Sequence, residues 1–116
     1  MAFVTLNEYI SAERSSKFKG AEIKKQQTLL VRLLAYSKKF KLPEQLYDVH
    51  IIWEKPNNMQ DHDNIAFAKK FIFDGLIDAG ALKGDGAKHI NNLSDSFELN
   101  KKARYVSCYV IFDSAE

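Results

Sequence analysis

Between Met59 and Gly86 the chain gathers side chains of types that could serve hydrolysis of a phosphodiester. Asp61 and Asp63 stand one residue apart, Lys70 and Asp74 lie on the helix that follows, and Asp85 arrives after a short loop. Carboxylate oxygens suit a hard divalent cation such as Mg²⁺, which is commonly held by one or a few acids together with water and substrate phosphate. Such a cation can activate water and stabilise the departing oxygen. A lysine nearby can offset the charge that builds on phosphorus. Each residue also has a plainer reading. Asp63 before Asn64-Ile65 suits a helix N-cap, Asp85 between glycines suits a turn, and Lys70–Asp74 suits an i, i+4 surface pair. His62 and His89 are further polar candidates, whereas His50 alternates within a strand and reads as a facing residue.

The spacing can be tested against helix geometry. At about 100° per residue, seven and eleven steps each return to within about 20° of the start. One helix from Asp63 to about Ala79 therefore predicts that Asp63, Lys70 and Asp74 share a face. Ile65, Ala68, Ile72, Leu76 and Ala79 form a different, apolar face. Gly80 ends the helix. Asp61 precedes it in extended chain, and Asp85 returns after Gly80 to close the cluster.

The elements around this helix follow in order. Phe3–Leu6 is a short β-prone run, and the polar, basic stretch from Ser11 to Gly20 reads as a loop. A helix spans Ala21 to about Phe40, its apolar repeat drawn through Ile23, Leu30, Leu33 and Leu34. Leu42-Pro43 stops it. Tyr47–Trp53 is a strand rich in β-branched and aromatic residues. A hairpin-like tail follows, with strands around Lys88–Leu93 and Ala103–Phe112. The order β, α, β, α, β, β predicts an α+β fold with helices on one face of a mixed sheet.

With 116 residues, the chain suits one domain over its whole length, residues 1–116. Its net charge is only +2, but Arg14–Lys41 carries nine bases against Glu22, while Glu44–Asp85 carries eight acids against four bases. A basic front beside an acidic centre suits a protein that grips a polyanion and sets metal-binding carboxylates next to it. A solvated lysine face is the alternative. No apolar run reaches the roughly 20 residues that a bilayer needs, and MAFVTLNEYI lacks the features of a signal peptide. The single Cys108 excludes an internal disulfide and suits a reducing, cytoplasmic setting. In VSCYVIF it reads as a buried strand residue, and no zinc-ligand spacing is present.

The ordered string Asp61-x-Asp63-Asn64, Lys70-x-x-x-Asp74-Gly75-Leu76 and Ala79-Gly80-Ala81-Leu82-x-x-Asp85 resembles the RusA family of Holliday junction resolvases. These are small endonucleases of bacteria and their prophages. The likeness is strong over Val49–Asp85, weak at Asn7–Tyr9, and in the last strand one of character only. It implies a mixed sheet with two main helices on one face, a homodimer, branched DNA (a four-way junction) as partner, and Mg²⁺ or Mn²⁺ as cofactor. The implied activity is paired, symmetric nicking across the branch point in DNA recombination and repair. On this resemblance Asp61, Asp63 and Asp85 are catalytic and bind metal, and Lys70 is the active-site lysine with Lys69 as the alternative. Arg14, Lys17, Lys19, Lys24, Lys25 and Lys69 are then the expected DNA contacts. Two other readings are an inactive nucleic-acid-binding module of prophage origin and a general phosphodiesterase or flap nuclease.

Overall fold

The computed structural model describes residues 17–116, with side chains from residue 19 onward. Phe3–Leu6, Arg14 and the side chain of Lys17 lie outside the described residues. The elements are α1 (Lys17–Ser37), β1 (Tyr47–Lys55), α2 (His62–Ala66), α3 (Lys69–Asp78), β2 (Ile90–Leu99) and β3 (Ser107–Ser114). Among the described residues, no helix is long and apolar enough to cross a membrane.

The fold is α+β. β1 sits at the centre of a three-stranded mixed sheet, parallel to β2 and antiparallel to β3. Its burial alternates strictly, with Tyr47, Val49, Ile51, Trp53 and Lys55 all buried. That period of two assigns one face of the strand to the core. There it meets Ile65, Ala68, Phe71, Ile72 and Leu76 from the helices. The opposite face carries Asp48, His50, Ile52 and Glu54, and His50 bonds Ser94 Oγ at 2.6 Å and Ser96 Oγ at 3.0 Å.

Three sequence expectations change. The tail is not a hairpin: β2 and β3 flank β1 on opposite sides and do not pair with each other. The first helix starts at Lys17, so Lys17–Gly20 is helical rather than loop, and it ends at Ser37, just before Lys39 with φ 52°. It also packs through a different face. Val31 and Ala35 are buried, whereas Leu30, Leu33 and Leu34 are exposed. The cause is a close approach to α3: a Cβ built on Gly75 would lie 2.5 Å from Val31 Cβ and 2.8 Å from the Thr28 carbonyl. Only small residues let two helices come so near, so the contact is made through Val31 and Ala35 rather than through the leucines.

The third change bears on the site. The expected helix from Asp63 to Ala79 is two helices joined by a tight turn. Ala68 N–H reaches Ile65 O at 3.2 Å and Lys70 N–H reaches Phe67 O at 3.3 Å, both i→i−3 bonds. Such bonds tighten the chain locally to three residues per turn. The apolar face survives, since Ile65, Ala68, Ile72 and Leu76 are all buried. Gly80, with φ 74°, stops α3 as expected.

Candidate functional site

The site begins where β1 leaves the sheet. Tyr47, Val49, Ile51 and Trp53 point into the core, and Lys55 continues their phase with 8% of its surface exposed. A buried ammonium is costly unless partnered. Lys55 Nζ lies 2.9 Å from His62 Nε2, and among the described residues no carboxylate is within ion-pair range of it. The His62 ring lies flat on Phe97, with centroids 3.8 Å apart and planes at 7°.

Beside this pair, Asp95 on β2 is held from two directions. Trp53 Nε1–H donates to Oδ1 at 2.8 Å, and Lys69 Nζ donates to Oδ2 at 2.6 Å. Parallel pairing sets Asp95 opposite Ile51, in the phase of Leu93, Phe97 and Leu99. His62, Asp63, Lys69, Asp95 and Phe97 line one open cleft of about 480 Å³. Asp63 is exposed there, and its Oδ1 accepts the Asn64 N–H at 3.0 Å.

Asp61 occupies the N-cap position of α2 in extended conformation, so Asp63 falls in the first turn and is not the cap. The Asp61 carbonyl accepts Ile65 N–H at 3.2 Å, but its carboxylate makes no capping bond. That leaves both acids presenting oxygen at the Lys55 end of β1.

Asp85 lies at the other end. Gly84 packs on His89, Gly86 O accepts the His89 N–H, and His89 O in turn accepts the Tyr47 N–H. The span from Tyr47 to Lys55 is about 26 Å at about 3.3 Å per residue. The structure therefore does not bring Asp85 to Asp61 and Asp63. Among the described residues, no group of three or more His, Cys, Asp or Glu side chains is arranged to hold a metal ion. Hard oxygen donors on Asp61 and Asp63 fit Mg²⁺ only in its sparser mode, in which water and substrate complete the shell.

The two candidate lysines stand in different places. Lys69 faces the cleft, whereas Lys70 is exposed and outside its lining. Asp74 does not line the cleft that Asp63 lines. It borders a separate groove of about 490 Å³ between α1 and α3, with Lys24, Lys25, Arg32 and Asp78. There the two acids lie among the bases that were expected to grip phosphate. Lys19 is exposed on α1, and His89 Nε2 lies 3.7 Å from Glu44 Oε1, away from the cleft.

Lys55, Asp95 and Phe97 were not singled out by the sequence reading, although a signal exists for two of them. Lys55 and Asp95 are charged residues standing in the apolar phase of their strands, and such residues on a core face must find partners. Cys108 is a strand residue, as expected, and burial pushes its thiol up to about 12. It is a poor candidate nucleophile, since only the thiolate reacts readily. No protein-family model, curated protein or solved structure matches this chain.

Proposed function

We propose that this chain is a RusA-like, metal-dependent endonuclease acting on branched DNA as a homodimer. The observation that supports this best is the lining of one open cleft by Asp63, Lys69 and Asp95, beside the Asp61-x-Asp63-Asn64 string. Asp61 and Asp63 are the residues that would hold Mg²⁺ or Mn²⁺, with substrate phosphate and water completing the shell. When bound, the ion supplies an activated water and charge stabilisation. Lys69 then takes the part first given to Lys70. Its ammonium is held by Asp95 at 2.6 Å, which fixes its place on the cleft wall before substrate arrives. A pre-positioned cation stabilises charge developing on a phosphoryl oxygen without reorganising at the moment of reaction. Asp85 has no part in this version of the site.

A substrate panel tests the reading. Synthetic four-way junctions, flaps and linear duplexes are incubated with the protein at one salt concentration, with and without Mg²⁺. The expected result is Mg²⁺-dependent paired nicking of the four-way junction, abolished in Asp63→Asn while junction binding persists. Binding to junctions without nicks in any metal would favour the inactive binding module. Equal cleavage of all three substrates would favour a general nuclease.

A further inference from the structure

The turn from β2 to β3 carries Lys101, Lys102 and Arg104, and no acid occurs from Leu99 to Phe112. All three bases are exposed, and none lies within ion-pair range of a described carboxylate. Tyr105 follows them, 63% exposed and without a ring or hydrogen-bond partner among the described residues. The turn is held to the sheet through Asn100. Its N–H donates to Lys55 O at 2.8 Å, its Nδ2 donates to Glu54 Oε2 at 3.4 Å, and its Oδ1 accepts the Lys102 N–H at 3.1 Å. Strand register fixes the location: β2 pairs Leu99 with Lys55, and β3 pairs Ser107 with Glu54. The turn therefore stands at the end of the sheet where β1 gives way to Asp61 and Asp63.

We infer that this turn grips a single-stranded nucleic-acid segment beside the cleft, with Lys101, Lys102 and Arg104 on backbone phosphates and a base stacked on Tyr105. Cations that track a phosphate chain and an aromatic ring that takes a base are the two parts of a single-strand surface, and both are here in one short turn. An acidic peptide meets the charges but leaves the Tyr105 ring bare, whereas a nucleotide chain meets both. A base can lie on that ring only when its own face is free of neighbouring bases, which selects a single strand over a duplex. Glu54 and Glu98 are paired side by side in the sheet, and Asn100 already engages Glu54. The choice of partner rests on the nucleic-acid reading of the cleft, but the grip needs neither metal nor cleavage.

Fluorescence anisotropy with a labelled oligo(dT) of about ten nucleotides, in EDTA, tests the grip against a blunt duplex hairpin. Tyr105→Ala is expected to weaken oligo(dT) binding at least about fivefold, the low end of one lost base stack, and to change hairpin binding far less. Tyr105→Phe, which keeps the ring, is expected to bind oligo(dT) as the wild type does. Replacing Lys101, Lys102 and Arg104 together by Ala is expected to flatten the dependence of log affinity on log salt by about 2, at about 0.7 per lost single-strand phosphate contact. All these side chains are exposed, so the urea midpoint is expected to stay at the wild-type value. Unchanged oligo(dT) affinity in Tyr105→Ala overturns the inference, as does an unchanged salt slope in the triple variant. An equal loss on the hairpin overturns the choice of a single strand. If oligo(dT) binding depends on Tyr105 but no junction is cut with Mg²⁺, the nuclease reading fails and this grip stands. Mg²⁺-dependent cutting with Tyr105→Ala binding oligo(dT) as the wild type does gives the reverse.

Discussion

Breaking the Lys69–Asp95 pair is the sharpest physical test of the cleft. The perturbation is a double-mutant cycle of Lys69→Met, Asp95→Asn and the two combined. Asp95→Asn removes the charge while leaving an oxygen for the Trp53 indole N–H, so the cycle isolates the ion pair. Two unit charges about 4 Å apart attract by about 4 kcal/mol at an effective dielectric near 20. The side chains of Lys69 and Asp95 are 22% and 20% exposed, so desolvation cancels much of that gain. The expected coupling energy is about 1–2 kcal/mol, above the ~0.2–1 kcal/mol of exposed surface pairs. Urea unfolding measures it, as a change of midpoint at constant slope. The coupling should also survive 1 M salt better than a surface pair does, because partly buried charges are screened less. A coupling below about 0.3 kcal/mol, within the ordinary error of additivity, would refute the claim that Lys69 is pre-positioned by Asp95.

Other outcomes follow from the same geometry. Lys69→Ala should lower Mg²⁺-dependent junction cleavage by about 10²–10³, the usual cost of one transition-state donor, and Lys70→Ala by far less; equal losses would return the role to Lys70. Gly75→Ala should destabilise by about 1–3 kcal/mol, despite a helix-propensity gain of up to about 1 kcal/mol, because the new Cβ falls 2.5 Å from Val31 Cβ; a rise in urea midpoint would contradict that approach. Burial raises the Cys108 thiol from 9.0 to about 12, so between these values the unfolded chain releases a proton that the folded one keeps. Stability should then fall with rising pH by up to about 1.4 kcal/mol per unit across that window, and a Cys108→Ala variant compared over the same range should lack this component.

Much of the frame was legible in the sequence because single residues carried the signal. The β-branched and aromatic run from Tyr47 produced β1, and Ile65, Ala68, Ile72 and Leu76 marked the buried helical face that is observed. β2 was read too short because Asn91, Asn92, Ser94, Asp95 and Ser96 are weak strand formers. Its extent to Leu99 comes from pairing with β1, a tertiary effect that overrides local preference. The turn at Phe67–Ala68 left no breaker residue to see, so two helices were read as one. The cleft suffers most from this. Lys55 meets His62 across the turn that leaves β1, and Lys69 meets Asp95 only after α3 has reversed into β2.

Strand direction explains why Asp85 is absent from the cleft while Asp95 lines it. β1 and β2 run parallel, so the connection must carry the chain from the Lys55 end of the sheet back to the Tyr47 end before β2 begins. α2 and α3 make that return. Whatever opens the connection stays at the Lys55 end, which places Asp61, His62 and Asp63 there. Whatever closes it is delivered to the Tyr47 end, which places Asp85 beside His89. No adjustment of the loop after Gly80 can bring Asp85 across a strand length. The carboxylate that joins Asp63 in the cleft comes from β2 itself, in the phase that faces the helices and just beyond the strand's midpoint. Asp95 is the acid that meets both conditions, and it is the one that Trp53 and Lys69 hold. Spacing along the chain favours Asp85, but in a parallel pair the ends that meet are set by direction, and direction selects Asp95.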